Sequence, residues 1–157
     1  MSLVMGQRPT NVTILNAYAR VWSDNLDDAL PLLQRLAGER PHLRLPFHAI
    51  ELAAIGDFLV IAGPAEERAK YAHASATVVV DDLDAVHAIL TDADATITAP
   101  PTPSPTGGFL YAGHADGVEV EYVQWTTDLV GHILEQGTPA DLAASNRHQP
   151  AIGGSID

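Results

Sequence analysis

The sequence predicts an α+β fold made of two βαβββ modules whose sheets curve around a central groove. Three observations predict it. The segment Trp22-Ser23-Asp24-Asn25-Leu26-Asp27-Asp28-Ala29 opens an apolar-periodic run that closes at Gly38; fifty-seven residues later Val79-Val80-Asp81-Asp82-Leu83-Asp84-Ala85-Val86 opens another of similar shape. Each run follows a β-rich stretch. Each also precedes a set of short strands. A repeat of this length reads as two copies of one small unit packed together, with a groove between them.

Residues 1–12 are expected to be a flexible N-terminal arm, and the first module spans 13–62. Thr13 to Trp22 alternates as a strand, with Asn16, Tyr18, Arg20 and Trp22 on one face and Leu15, Ala17, Ala19 and Val21 on the other. Asp24 or Asn25 caps the helix that follows, with acids in its first turn. Its buried stripe is Leu26, Ala29, Leu30, Leu33 and Leu36 or Ala37, Pro31 falls near its first turns, and Gly38 suits its C-terminal cap. Strands are expected at Leu43–Phe47, His48–Ile55 and Phe58–Ala62, the last two joined by a tight turn at Gly56-Asp57.

A connector, 63–71, leads to the second module, 72–125, and has room for a short helical turn. Here a strand from about His73 to Val80 precedes a helix capped by Asp81 or Asp82 and running to about Thr91. Ala95–Ala99 reads as a strand. Pro100 to Gly108 is so rich in proline that it reads as an exposed loop. Phe109–Gly113 and Val118–Trp125 complete the module around a turn at Asp116-Gly117. Residues 126–157 form a C-terminal helix, Thr126 to Gln136, and a polar tail.

Composition narrows the function classes. An apolar content of 46% over 157 residues supplies a real core. Without cysteine, disulfides, thiolate metal sites and a cysteine nucleophile are excluded. Twenty acids against eight bases, a formal net charge of −12, disfavour binding to nucleic acid or to anionic membranes. No stretch approaches membrane-spanning length, so a cytoplasmic protein is expected. No glycine-rich phosphate cradle lies between a strand and a helix.

The duplication, together with Val80-Asp81-Asp82-Leu83-Asp84-Ala85, Pro105-Thr106-Gly107-Gly108 and Asp116-Gly117-Val118-Glu119-Val120-Glu121-Tyr122-Val123-Gln124, resembles the vicinal-oxygen-chelate superfamily. Glyoxalase I, bleomycin-resistance proteins and extradiol dioxygenases belong to it. The resemblance covers roughly residues 13 to 125 and is carried less fully at two points. Leu32-Leu33 stands where relatives usually have an aromatic pair, and His114-Ala115-Asp116-Gly117 replaces their Asp-Pro-Asp-Gly. For metal-dependent members it implies one ligand from the first and last strand of each module. Counted back from the aspartate at each helix start, the first-strand positions fall on Tyr18 and Ser75. The last-strand positions fall near Val60 and on Glu121. Of these only Glu121 is an obvious ligand. His73, on the face of Ser75, and His48 are the histidines that would add to it. The resemblance also implies a homodimer.

Within such a groove Glu121 needs a partner for its charge. Arg20 is one candidate; alternatively Arg20 reaches the rim and pairs with exposed acids. Glu119, two residues along the same face, either forms an acid/base pair with Glu121, helps to hold a cationic ligand, or sits at the solvated end of its strand. His73 alone reads as a hydrogen-bonded strand histidine. Tyr18, Trp22, Phe58 and Trp125 are candidate aromatic walls for a flat ligand, or ordinary core. His42, His87, His114, His132 and His148 are assigned no role. The expected function is metal-free binding of a small organic molecule, with Tyr18, Arg20, Trp22, Phe58, His73, Ser75, Glu119, Glu121 and Trp125 around it. The alternative is a metal-dependent lyase or dioxygenase using a divalent ion at His73 and Glu121, with the missing ligands drawn from His48, Tyr18 or the other subunit. A ligand-less interaction protein is the third reading.

Overall fold

The computed structural model describes residues 11–135, 137, 140 and 141. Most of the expected arm and the tail from 142 onward lie outside the described residues. The first module runs β1 (Ile14–Ser23), α1 (Leu26–Ala37), β2 (Leu43–Phe47), β3 (Ile50–Ile55) and β4 (Phe58–Ala62). The connector holds a short helix, α2 (Ala65–Arg68), and a 3₁₀ turn. The second module runs β5 (Ala76–Val80), α3 (Leu83–Asp92), β6 (Thr96–Ser104), β7 (Gly107–Gly113) and β8 (Glu119–Trp125). A helical turn, α4 (Thr127–Leu129), winds on as π-helix to Glu135, and a two-residue strand, β9 (Ala140–Asp141), follows. Among the described residues no helix is long and apolar enough to cross a membrane.

All strands join one mixed sheet in the order β6-β7-β8-β5-β1-β4-β3-β2-β9. Read outward from the antiparallel β1–β5 seam, each module repeats the same neighbours: β4, β3 and β2 on one side, β8, β7 and β6 on the other. The βαβββ duplication predicted from the sequence is therefore the architecture. It arises because each helix buries one stripe on the outer face of its own module. Leu26, Leu30 and Leu33 of α1 pack on Ala53, Ile55, Val60 and Ala62. Leu83, Val86 and Leu90 of α3 pack on Val80, Leu110 and Ala112. The opposite, inner faces share a third cluster, in which Leu43, Leu45, Leu59 and Ile61 meet Val79, Val123 and Trp125. Phe47 of β2 and Phe109 of β7 lie far apart in the strand order, yet their ring centroids are 6.4 Å apart. The sheet therefore curls, and the inner faces confront each other.

The caps that reveal the repeat are built alike. Asn25 accepts a hydrogen bond from the Asp28 amide at 2.8 Å, and Asp82 accepts one from the Ala85 amide at 3.0 Å. Gly38 closes α1 in the left-handed region at φ 72°.

Three local expectations need correction. Pro100 to Ser104 is strand rather than loop, because β6 is the sheet's edge and its prolines sit where ladder bonds are needed on one side only. Two register shifts accompany them. The turn shrinks to Pro105-Thr106, and β7 starts at Gly107, where an added Cβ would lie 2.1 Å from the Gln124 carbonyl oxygen. His48 is an exposed turn residue at φ 55°, so β3 begins at Ile50. The second module's first strand begins at Ala76, leaving His73 and Ser75 in the preceding loop. Since the two caps have the same geometry, Asn25→Ala and Asp82→Ala are each expected to cost about 1 kcal/mol in urea unfolding. A loss confined to one of them would show that the modules do not share their helix energetics.

Candidate functional site

The register of the seam sets Tyr18 beside Thr77 and Ala19 beside Ala76, so Arg20 lies one step diagonally from Thr77. Asn25 and Asp82 are equivalent caps, so Arg20 on β1 is equivalent to Thr77 on β5. Arg20 pairs in register with Leu59 on β4, and Thr77 with Glu121 on β8. The three positions that belong with Glu121 are therefore Arg20, Leu59 and Thr77, not Tyr18, Val60 and Ser75. Val60 shows the parity error most simply. It faces α1 on the outer side, whereas its neighbours Leu59 and Ile61 face inward.

At these positions the structure builds one buried polar cluster. Only 2% of the Arg20 side chain is exposed, and 15% of that of Glu121. Arg20 donates through Nε to Thr77 Oγ1 at 3.0 Å and through Nη1 to the Tyr71 carbonyl at 2.6 Å. Its Nη2 donates to the Tyr111 hydroxyl at 3.0 Å and to Glu121 Oε1 at 2.7 Å. Thr77 donates to the same Glu121 oxygen at 2.8 Å. The Trp22 and Tyr111 rings lie 5.8 and 5.5 Å from the guanidinium carbon, within cation–π range. Burial disfavours the charge on Arg20, but the Glu121 carboxylate and Tyr111 outweigh it and leave its pKa above the ordinary value. Burial, followed by the Glu121 charge, pushes the Tyr111 hydroxyl up to about 12.

The cluster forms one end of a cavity of about 80 Å³ between the modules. At roughly 10–15 Å³ for a first water, this encloses room for several waters, and a ring would extend through the cavity's open side. The first module supplies an apolar wall that includes Leu43, Leu45, Leu59 and Ile61; Tyr71, Thr77, Tyr111 and Glu121 supply the polar end. Trp125, Phe109 and Phe47 close the sides, and Ser104, Pro105 and Thr106 of the β6–β7 turn reach its edge.

The residues expected around a ligand thus divide. Tyr18, Arg20, Glu121 and Trp125 line the cavity, and Trp22 packs against the inner cluster beside Arg20. Phe58 is on the outer face against α1, one residue out of phase with the groove, and is no wall of it. His73 and Ser75 are exposed in the loop before β5. His73 Nε2 lies 3.5 Å from Glu119 Oε2, which also accepts a hydrogen bond from Thr98, so Glu119 is engaged at the rim and not with Glu121. His48 packs on Phe47 at the β2–β3 turn and joins neither carboxylate. Sequence reasoning missed Thr77, Tyr111 and Tyr71. Thr77 left a signal, being the single polar residue in the strand ATVVV. Tyr71 acts through its carbonyl, which no side-chain pattern reports.

The residues do not fit the metal centre that the resemblance implies for some members. A guanidinium and a leucine occupy two of the four positions, and one carboxylate and one hydroxyl remain. Among the described residues no group of three or more His, Asp or Glu side chains converges.

His42 has a place the sequence did not suggest. Its Nε2 lies 2.8 Å from the Tyr18 hydroxyl, and its Nδ1 is 3.8 Å from Glu39. Burial lowers the His42 pKa, against the opposing pull of Glu39, and burial also pushes the Tyr18 hydroxyl up to about 12. His114 similarly meets the Tyr122 hydroxyl at 2.8 Å, on the outer face. His148 lies outside the described residues.

The fold recurs in solved structures. An uncharacterized protein from Methanosarcina mazei is 32% identical, with a TM-score of 0.69 over 73% of this chain and 94% of that one. Methylmalonyl-CoA epimerase from Mycobacterium tuberculosis is 16% identical, with a TM-score of 0.60 over 75% and 93%. A variant of the Streptomyces coelicolor methylmalonyl-CoA epimerase, in complex with 2-nitronate-propionyl-CoA, is 15% identical, with a TM-score of 0.59 over 74% and 99%. No family model matches the chain, and neither does any curated protein.

Two predictions follow from the geometry. Removing either partner of the buried pair, as Arg20→Ala or Glu121→Ala, is expected to cost about 3–5 kcal/mol, because a charge is left buried without its counterion. Replacing both by leucine should recover most of that loss in the same unfolding measurement. The His42 prediction concerns pH. A histidine with a depressed folded pKa binds protons more readily when unfolded, so its contribution is full above the unfolded value near 6.5 and is lost as pH falls toward the folded value. Urea midpoints should therefore drop below about pH 6.5, and His42→Gln should flatten that part of the profile.

Proposed function

Because the chain belongs to the vicinal-oxygen-chelate superfamily, we propose that its cavity binds a small organic ligand without a metal. One observation carries this reading: the Arg20 guanidinium takes the first-strand position and engages Glu121 and Thr77, the two residues there with oxygen to offer a metal. The cluster thus already holds a cation, and one that cannot be deprotonated in a protein. A metal would need Arg20 withdrawn from Glu121, which would leave a guanidinium buried beside a second positive charge. The remainder of the cavity is what a small-molecule site requires, mainly apolar with a few convergent polar groups.

The epimerases share the fold, and at their level of identity they supply no activity to this chain. The proposal extends to a homodimer, supported by the family resemblance alone. Elemental analysis of metal-replete protein should find bound metal well below one per chain, and EDTA should leave the melting temperature unchanged. Stoichiometric metal that is lost in Glu121→Gln would overturn the proposal in favour of the metal-dependent reading.

A further inference from the structure

We infer that the cavity selects a neutral, mainly apolar hydroxyl compound, whose O–H donates to Glu121 Oε2. The inference rests on the reading that the cavity binds a ligand at all, and it follows from counting donors and acceptors. Arg20 directs two N–H groups from Nε and Nη1 to Thr77 and Tyr71, and two from Nη2 to Tyr111 and Glu121. Thr77 also donates to Glu121. Both bonds that Glu121 accepts go to Oε1; among the described residues Oε2 receives none. The side chain lines the cavity and keeps 15% of its surface exposed, so the open acceptor is available to whatever fills the space. A buried carboxylate oxygen left without a donor is costly, and a ligand O–H relieves that cost.

Charge selects among donors. Arg20 and Glu121 cancel, so the polar end is dipolar and has no net charge. A ligand ammonium would add a second cation close to the guanidinium, and a ligand carboxylate would meet Glu121; each is also stripped of water on entry. The hydroxyl of Tyr111 accepts from Arg20 and, among the described residues, donates to nothing. It therefore keeps a proton for a ligand oxygen, which favours a hydroxyl over an N–H donor. The body of the ligand then faces Leu45, Leu59, Ile61, Phe109 and Trp125.

Four ring compounds separate the possibilities: phenol, anisole, benzylammonium and benzoate. Each is titrated into the full chain at neutral pH, following the Trp125 indole N–H by NMR. Phenol is expected to bind about tenfold more tightly than anisole, which lacks the donor, with both ions weaker than phenol. In the Arg20→Leu, Glu121→Leu double variant, whose apolar replacements leave no unpaired charge, anisole should still bind and the advantage of phenol should vanish. Should no compound move the Trp125 signal in the wild-type chain, cavity binding itself fails and the ligand class with it. Should anisole or either ion match phenol, or should the preference for phenol survive in the double variant, cavity binding stands and the hydroxyl assignment is overturned.

Discussion

A guanidinium removed from water must be hydrogen-bonded around its edge, and the way Arg20 meets that demand organises the centre of this protein. Arg20 stands on β1, in the first module, but none of its bonds stays there. They go to the connector, to β5, to β7 and to β8. The β1–β5 ladder aligns two strands; the Arg20 cluster reaches past that ladder and fixes how the second module curls over the first. Ion pairs of this kind add little net stability compared with apolar packing of the same volume. Their consequence here is positional: they hold a polar patch at a set place in a surface that is otherwise leucine, isoleucine and aromatic.

The same pair explains why the two halves, alike in backbone, differ in chemistry. The outer faces obey the repeat closely, since α1 and α3 each need only an apolar stripe and a matching patch of sheet. The inner faces carry no such pair of matching helices: they meet each other, and only the C-terminal helical turn packs on their shared cluster, through Leu129 and Ile133. Leu59 and Glu121 occupy equivalent backbone positions, as do Arg20 and Thr77. One module therefore contributes a hydrophobic wall and the other a hydrogen-bonding one. The cavity between them has a direction, from apolar to polar, that a symmetric dimer of identical modules would lack.

Features that depend on local chemistry were legible in the sequence. The capped helices, Gly38 and the alternation of β1 all report through the residue's own segment, and they suffice to identify the duplication and the shared face of Tyr18, Arg20 and Trp22. Features that depend on parity or on sheet position were not. Short apolar strands such as Phe58–Ala62 alternate between two buried faces, so hydrophobicity cannot say which set looks inward, and Phe58 and Val60 were placed one residue out of phase. Pro100, Pro101 and Pro103 are tolerated in β6 because it is an edge, a fact of topology and not of composition. The Glu121–Arg20 pair was readable as one of two possibilities because a buried carboxylate needs a partner. Thr77 and the Tyr71 carbonyl complete the cluster, and their part depends on the register between strands distant in sequence.

The conflict between Arg20 and a metal is also a conflict of geometry. A divalent ion draws its ligands inward to about 2–2.6 Å around a point. The guanidinium is a planar fork whose donors diverge, and its partners here stand 2.6–3.0 Å from separate nitrogens spread over three strands and the connector. A site adjusted to the fork is therefore too wide for the ion, even where one or two of its oxygens are of a suitable kind. Removing the arginine alone does not restore a metal centre, since Leu59 still contributes no donor and the Tyr111 and Tyr71 oxygens are held at the separation that a guanidinium spans. Arg20, Leu59, Thr77 and Glu121 converge on one cavity, and their side chains close the space around an organic cation that the chain carries itself.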